Sequence, residues 1–167
     1  MEEVPFLYNG VTAKRSDRRY GIVSFGAAAD RPRDQQGENH MPAIDAVTRD
    51  LLEHTEFVTL VTEGPDGPHV VGNWGDYLRR IGIDEGRLIL PAGHYERTEE
   101  NLRRSNRIQL MAASRAVRGT RGPGQGCVVR GKGSVQTEGE LAERAKAAFK
   151  WARGALVIEV ESCETQL

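Results

Sequence analysis

The side chains of this chain best suited to chemistry fall in two short runs. The first is Asn73-Trp74-Gly75-Asp76-Tyr77, where two aromatic rings are interleaved with glycine. The second, Leu90-Pro91-Ala92-Gly93-His94-Tyr95-Glu96-Arg97-Thr98-Glu99, passes from an apolar segment through a glycine into a cationic helix start. A helix start presents backbone N–H groups that the helix cannot satisfy, and Thr98 as N-cap beside Arg97 would add a hydroxyl and a guanidinium. That set suits a phosphate, and it suits equally a plain capped surface helix with a solvated arginine. Gly93 leaves room for a large planar ligand to approach backbone amides closely. Trp74 and Tyr77 then either flank such a ligand or belong to the core, the commoner fate of lone aromatics.

Competing chemistries have less behind them. His40, His54, His69 and His94 show no metal-ligand spacing, and no Ser/His/Asp or Cys/His arrangement stands out. The run Gly119-Thr120-Arg121-Gly122-Pro123-Gly124-Gln125-Gly126 is not followed by Gly-Lys-Ser or Gly-Lys-Thr, so it reads as a flexible hairpin loop rather than a nucleotide loop. Cys127 and Cys163 form no Cys-x-x-Cys and read as two buried thiols of a cytoplasmic protein. A net charge of −1, with both signs mixed along the chain, provides no basic face for nucleic acid. No uncharged apolar run approaches the roughly 20 residues that a membrane-crossing helix needs. Lys14–Arg19 followed by Gly21–Ala29 imitates a secretory signal only faintly, because the apolar part is short and glycine-rich.

The elements that must position these residues are mostly strands. Ile44, Val47, Leu51 and Leu52 recur at helical spacing and predict a helix ending near His54. Phe57–Thr62 is β-branched-rich, and the turn Gly64-Pro65-Asp66-Gly67 leads it into a second strand at His69–Trp74. Further strands are predicted at Arg87–Leu90, Ile108–Ala113, Cys127–Gln136 and Ala155–Glu161. Helices are predicted over 97–107 and 139–153, the second with Leu141, Ala145, Ala148, Phe149 and Ala152 on one face and a stop at Gly154. Six short antiparallel strands dispose of their edges most simply by closing, so the expected class is mainly β (α+β), a closed or nearly closed barrel.

Among 167 residues, 1–40 differ from the remainder: six acidic and six basic side chains, several breakers and no clear period. The expectation is an N-terminal extension, 1–40, ahead of one domain at 41–167. Met41-Pro42-Ala43-Ile44 is a natural domain beginning, and the codons of Gln36–His40 are compatible with a purine-rich ribosome-binding sequence, so Met41 is the expected start. The alternative is an arm that wraps a partner subunit.

Matching segments now accumulate in order along the chain: Asp66-Gly67-Pro68-His69-Val70-Val71, Trp74 with Tyr77-Leu78, Pro91 with Gly93, Thr98-Glu99, Ser114-Arg115 with Val117, Gly122-Pro123-Gly124 with Gly126, Arg130-Gly131, and Phe149-Lys150-Trp151-Ala152-Arg153 with Ala155–Ile158. From about His54 to its end the chain resembles the FMN-binding split-barrel proteins of the pyridoxamine 5'-phosphate oxidase superfamily. The resemblance implies a six-stranded antiparallel split β-barrel of Greek-key character with a few flanking helices. It also implies a homodimer with one FMN per subunit near the interface. Carried over residue by residue, it implies Trp74, Tyr77 and Trp151 beside the isoalloxazine, Asn73 on the flavin-binding strand, and Pro91, Ala92 and Gly93 passing the ring. Arg97 and Thr98 stand where the family has a Lys-Thr pair at the phosphate, a change that keeps the charge and can add a second contact. Ser114 and Arg115 read either as further phosphate or ribityl contacts or as a strand-end surface pair.

The function implied is a redox flavoprotein passing electrons between FMN and a small redox protein or small molecule, with no acid–base residue of its own. Alternatives are an oxidase or reductase of a small substrate, FMN storage or sensing without turnover, and binding of a deazaflavin as in a related split-barrel group. The end Cys163-Glu164-Thr165-Gln166-Leu167 lacks the Arg-Leu-x-Pro-like segment of vitamin-oxidising relatives, which argues against that activity.

Overall fold

The computed structural model describes residues 44–166 apart from Glu85 and Thr120. The expectations for 1–40 and for Met41 lie outside the described residues. Among the described residues, four helices and seven strands follow in the order α1 (Ala46–His54), β1 (Phe57–Gly64), β2 (Gly67–Trp74), α2 (Asp76–Ile81), β3 (Ile83–Asp84), β4 (Arg87–Ala92), α3 (Glu96–Arg104), β5 (Arg107–Arg118), β6 (Pro123–Gln136), α4 (Glu140–Ala148) and β7 (Gly154–Gln166). All strands belong to one sheet, ordered β2-β1-β5-β6-β7-β4-β3.

The class is mainly β with flanking helices, as expected, and each of the six anticipated strands is present. The closed or nearly closed barrel is not. Among the described residues β2 and β3 are the two ends of the sheet, and no ladder joins them. The seventh strand, β3, has two residues, and α2 sits between β2 and β3 in sequence with Leu78 and Ile81 buried.

Alternation decides which face each strand buries. Val58, Leu60 and Thr62 of β1 and Ile108, Leu110 and Ala112 of β5 point into the main core, where Leu51, Leu52, Leu78 and Leu102 meet them from the helices. β4 is buried on both faces: Leu88 and Leu90 enter the main core, while Ile89 joins Val157, Phe149 and Ile81 in a second cluster. This double burial accounts for the continuous apolar run Leu88–Ala92.

The β1–β2 hairpin turns through Pro65-Asp66, and Gly67 follows at φ 110°, a value that favours glycine. Farther along, the β6–β7 register shifts between Arg130↔Ser162 and Gly131↔Val160, leaving Glu161 as the extra residue of a bulge. A Cβ on Gly131 would stand 2.1 Å from the Glu159 carbonyl oxygen. Three boundaries differ from the sequence reading. Pro123–Gly126 belong to β6 rather than to a flexible loop, because the ladder with β5 runs on through Ser114↔Gln125 and Arg118↔Pro123. Within it, the Gln125 side chain donates to the Gly126 and Gln166 carbonyls. α4 stops at Ala148, capped at Phe149, instead of running to 153. α3 starts at Glu96 with Tyr95 at the N-cap position, so Thr98 lies inside its first turn.

Gly131→Ala forces a methyl group onto immovable backbone at the bulge. The expected cost is about 1–3 kcal/mol of stability, read as a lower urea midpoint.

Candidate functional site

The site is built at the corner where β4 turns into α3. Ala92 closes the β4–β7 ladder opposite Gly154, and the Arg153 N–H donates to the Ala92 carbonyl at 2.9 Å. The next carbonyl, that of Gly93, accepts two hydrogen bonds, from the Tyr95 N–H at 3.0 Å and from Arg153 Nε at 3.0 Å. Both lone-pair directions of that oxygen are therefore used, and the peptide is fixed. Arg153 also pairs through its terminal nitrogen with Glu99 of α3, whose second oxygen meets Arg103. Inside α3 the first bond across the turn runs from the Glu99 N–H to the Tyr95 carbonyl at 2.7 Å. Among the described residues the N–H groups of His94, Arg97 and Thr98 make no backbone hydrogen bond. Those of Arg97 and Thr98 are the unsatisfied donors expected at a helix start.

Aromatic rings wall this corner. Tyr77 packs edge-on against Phe149 at 4.9 Å and meets Trp151 at 5.6 Å, and Phe149 and Trp151 lie 5.5 Å apart. The Arg80 guanidinium covers the Phe149 ring at 4.0 Å. Trp151 lies on Gly93: a Cβ there would be 2.8 Å from its ring. The space left by the missing side chain of Gly93 is thus taken by an indole of this chain, and Trp151 is 54% exposed.

Asn73 is joined to the corner from β2. Its amide donates to the Tyr95 hydroxyl, and both groups are buried. Burial pushes the Tyr95 phenol up to about 12 from 10.0, against the opposing effect of the Asn73 bond. Glu96, fully exposed at the helix start, is held below the usual carboxylate range first by a hydrogen bond from its own backbone N–H and then by neighbouring His94.

The structure divides the sequence-derived residues into groups. Pro91, Ala92, Gly93, Tyr77 and Trp151 converge, and Asn73 is tied to them through Tyr95. Trp74, 60% exposed, stands apart from Tyr77 and Trp151 and packs edge-on against Phe57 with centroids 5.9 Å apart. The Phe57 ring lies over Gly72, where a Cβ would be 2.2 Å from it. Phe57, Ser114 and Arg115 line one concavity of about 520 Å³ with His54. Ser114 Oγ donates to the His54 carbonyl at 3.2 Å, and Arg115 is exposed. Arg97 is exposed and faces Asp66 at 4.0 Å, at the turn of the β1–β2 hairpin. Thr98 is 2% exposed and faces the protein interior rather than solvent. Among the described residues no group of His, Cys, Asp and Glu could hold a metal ion, and no helix is long and apolar enough to cross a membrane.

Sequence reading did not single out Tyr95, Glu99, Arg153, Phe57 or Phe149 as individual contributors. Arg153 was visible only as a member of a matching segment and Glu99 only as part of the helix start and of another such segment, since an ion pair between α3 and the residue ahead of β7 leaves no local signal. Phe57 could have been found from Gly72, its cross-strand diagonal neighbour, which leaves space for a ring.

Comparison with known proteins gives a consistent result. The family profile described as pyridoxamine 5'-phosphate oxidase matches residues 44–165. An "FMN-binding protein" of Nitratidesulfovibrio vulgaris (strain Miyazaki F) is 42% identical over 118 residues, covering 71% of this chain and 94% of that protein. Among solved structures, a HupZ variant from Group A Streptococcus is similar in fold with a TM-score of 0.60 at 20% identity, covering 74% of this chain and 99% of the other. A putative pyridoxamine 5'-phosphate oxidase from Lactobacillus delbrueckii gives 0.57 at 16% identity, with 75% and 97% covered.

Tyr95 yields a pH prediction. Its folded value lies above 10.0, so its contribution to stability is complete below about pH 10 and is lost as pH rises towards about 12. Cys127, raised by burial to about 11 from 9.0, acts in the same direction. Urea midpoints should therefore fall through this alkaline range. Tyr95→Phe should flatten the upper part of the fall and cost roughly 1–3 kcal/mol at neutral pH, because buried Asn73 loses its acceptor. An unchanged alkaline slope would take the phenol out of the account.

Proposed function

This chain belongs to the pyridoxamine 5'-phosphate oxidase family, and we propose that it is an FMN-binding redox flavoprotein that passes electrons between the bound flavin and a partner. The observation that carries the reading is the half-exposed Trp151 indole, seated on Gly93 and against Tyr77, beside a helix start with unsatisfied N–H donors. A planar, partly apolar ring with an anionic tail is the ligand such a corner takes. In this reading Trp151 and Tyr77 meet the isoalloxazine, while Pro91, Ala92 and Gly93 support the indole from behind. Arg97 leaves Asp66, a surface ion pair of little worth, to bind the phosphate with the first turn of α3, in which Thr98 is the inner residue. Asn73 acts through Tyr95.

We further propose that the protein works as a homodimer. Phe57, Val70, Trp74 and Met111 are all exposed, and the β1 register puts them on one face of β2-β1-β5. Exposed apolar patches of this kind mark association surfaces. A second copy seated there would bring Trp74, Ser114 and Arg115 to the flavin of its neighbour.

The scale of binding follows from size. FMN has roughly 31 non-hydrogen atoms, and at about −0.3 kcal/mol for each the total is about −9 kcal/mol, a sub-micromolar dissociation constant.

The purified protein is expected to be yellow and to release FMN on denaturation; a colourless protein that ignores added FMN would refute the assignment. Arg97→Ala should weaken FMN by about tenfold or more while changing riboflavin little, since only FMN carries the phosphate. Equal losses would remove Arg97 from the phosphate. Anaerobic reduction followed by stopped-flow reoxidation, with oxygen in one arm and small redox proteins in the other, separates an electron carrier from an oxidase.

A further inference from the structure

We propose that Arg153 is a positioning residue of the flavin site: by holding the Gly93 carbonyl and the Glu99 carboxylate at once, it sets the spacing between the ring corner and the phosphate helix. The inference rests on the FMN reading above and goes beyond it, because Arg153 touches neither the ring nor the phosphate in that reading. Its three contacts join three pieces of chain. The backbone N–H extends the β4–β7 ladder to Ala92, Nε fixes the Gly93 peptide, and the terminal nitrogen reaches Glu99 in α3.

Glu99 is placed to transmit this. Its side chain is only 16% exposed, and it is the residue whose N–H makes the first bond across the opening turn of α3. Anchoring its carboxylate thus anchors the turn that carries Arg97 and the free donors. Only arginine among the side chains presents nitrogens in a rigid planar fork that can meet a carbonyl and a carboxylate in fixed relative directions. Half-buried, the Arg153–Glu99 pair is also screened less than the exposed pairs of the helix surfaces.

The consequence is selective. Without the latch, the ring corner keeps its Trp151 and Tyr77 contacts, whereas the first turn of α3 is free to drift from it. A ligand that spans both, FMN, loses more than one that occupies the ring corner alone, riboflavin. Arg153→Ala should lower the preference for FMN over riboflavin by about tenfold, and Glu99→Gln, which keeps shape and removes charge, should shift it the same way. In an Arg97→Ala background the preference has already gone, so adding Arg153→Ala should change it little further, a non-additive pair.

The experiment titrates FMN and riboflavin into the apoproteins of wild type and the four variants by flavin fluorescence, with circular dichroism confirming the fold. A smaller FMN preference in the single variants with non-additivity in the double establishes the positioning role. Equal weakening of both flavins, or full additivity with Arg97→Ala, overturns it and leaves Arg153 a fold-stabilising residue. Should Arg153→Ala fail to fold, Glu99→Gln decides alone. Wild-type protein that binds neither flavin refutes the cofactor reading itself, a result distinct from either outcome in the variants.

Discussion

The register between β4 and β7 is the constraint on which the site depends. β7 pairs with β6 on one side and β4 on the other, so it joins the two halves of the sheet, and Ala92↔Gly154 closes the ladder. Gly154 is required there because a Cβ would stand 2.1 Å from the Gln136 carbonyl oxygen. The residues just ahead of β7 are consequently delivered to the end of β4: Arg153 to Ala92 and Gly93, and Trp151 onto Gly93. A slip of one residue would exchange Leu156 and Ile158 of the main core with Ala155 and Val157 of the second cluster and carry the indole away from its seat, so the fit of both buried faces enforces the geometry of the corner.

Much of this architecture was legible in the sequence, and the gaps have physical causes. The six longer strands were found because their β-branched runs alternate or are continuously apolar, and Gly64-Pro65-Asp66-Gly67 carries its own turn chemistry. α2 was missed because a six-residue helix spans too few turns to display a period. The start of α3 was misplaced because Thr98 has the side chain of a good cap, whereas the start is fixed by the Tyr95 N–H turning back to the Gly93 carbonyl, and Tyr95 makes no side-chain capping bond. In the site, family resemblance implied Trp74, Tyr77 and Trp151 together beside one ring, and the chain brings only Tyr77 and Trp151 into contact. The separation of Trp74 from them was not legible, since it depends on which way the end of β2 faces.

The corner also illustrates how polar groups earn a place in a core. Asn73 and Tyr95 are both buried, and each alone would leave a costly unsatisfied group; together they tie β2 to the β4–α3 turn. The Asn101 amide does the same for α3, donating to Thr62 Oγ1 of β1 at 3.1 Å. Apolar packing alone would hold α3 against the sheet with little preference for its azimuth. These two directional bonds, together with the Arg153–Glu99 pair that holds the first turn, choose one, and with it the direction in which the first-turn donors point.

β2, an edge of the sheet among the described residues, bears on how molecules of this protein meet. Its outer backbone groups are a template on which any extended chain could grow as another strand. Pro68, paired with Glu63 near the start of the strand, has no N–H to offer and breaks the row where it begins. Fibre-like stacking is thereby discouraged along the rim, while the aromatic flat of the same strand stays open for contact.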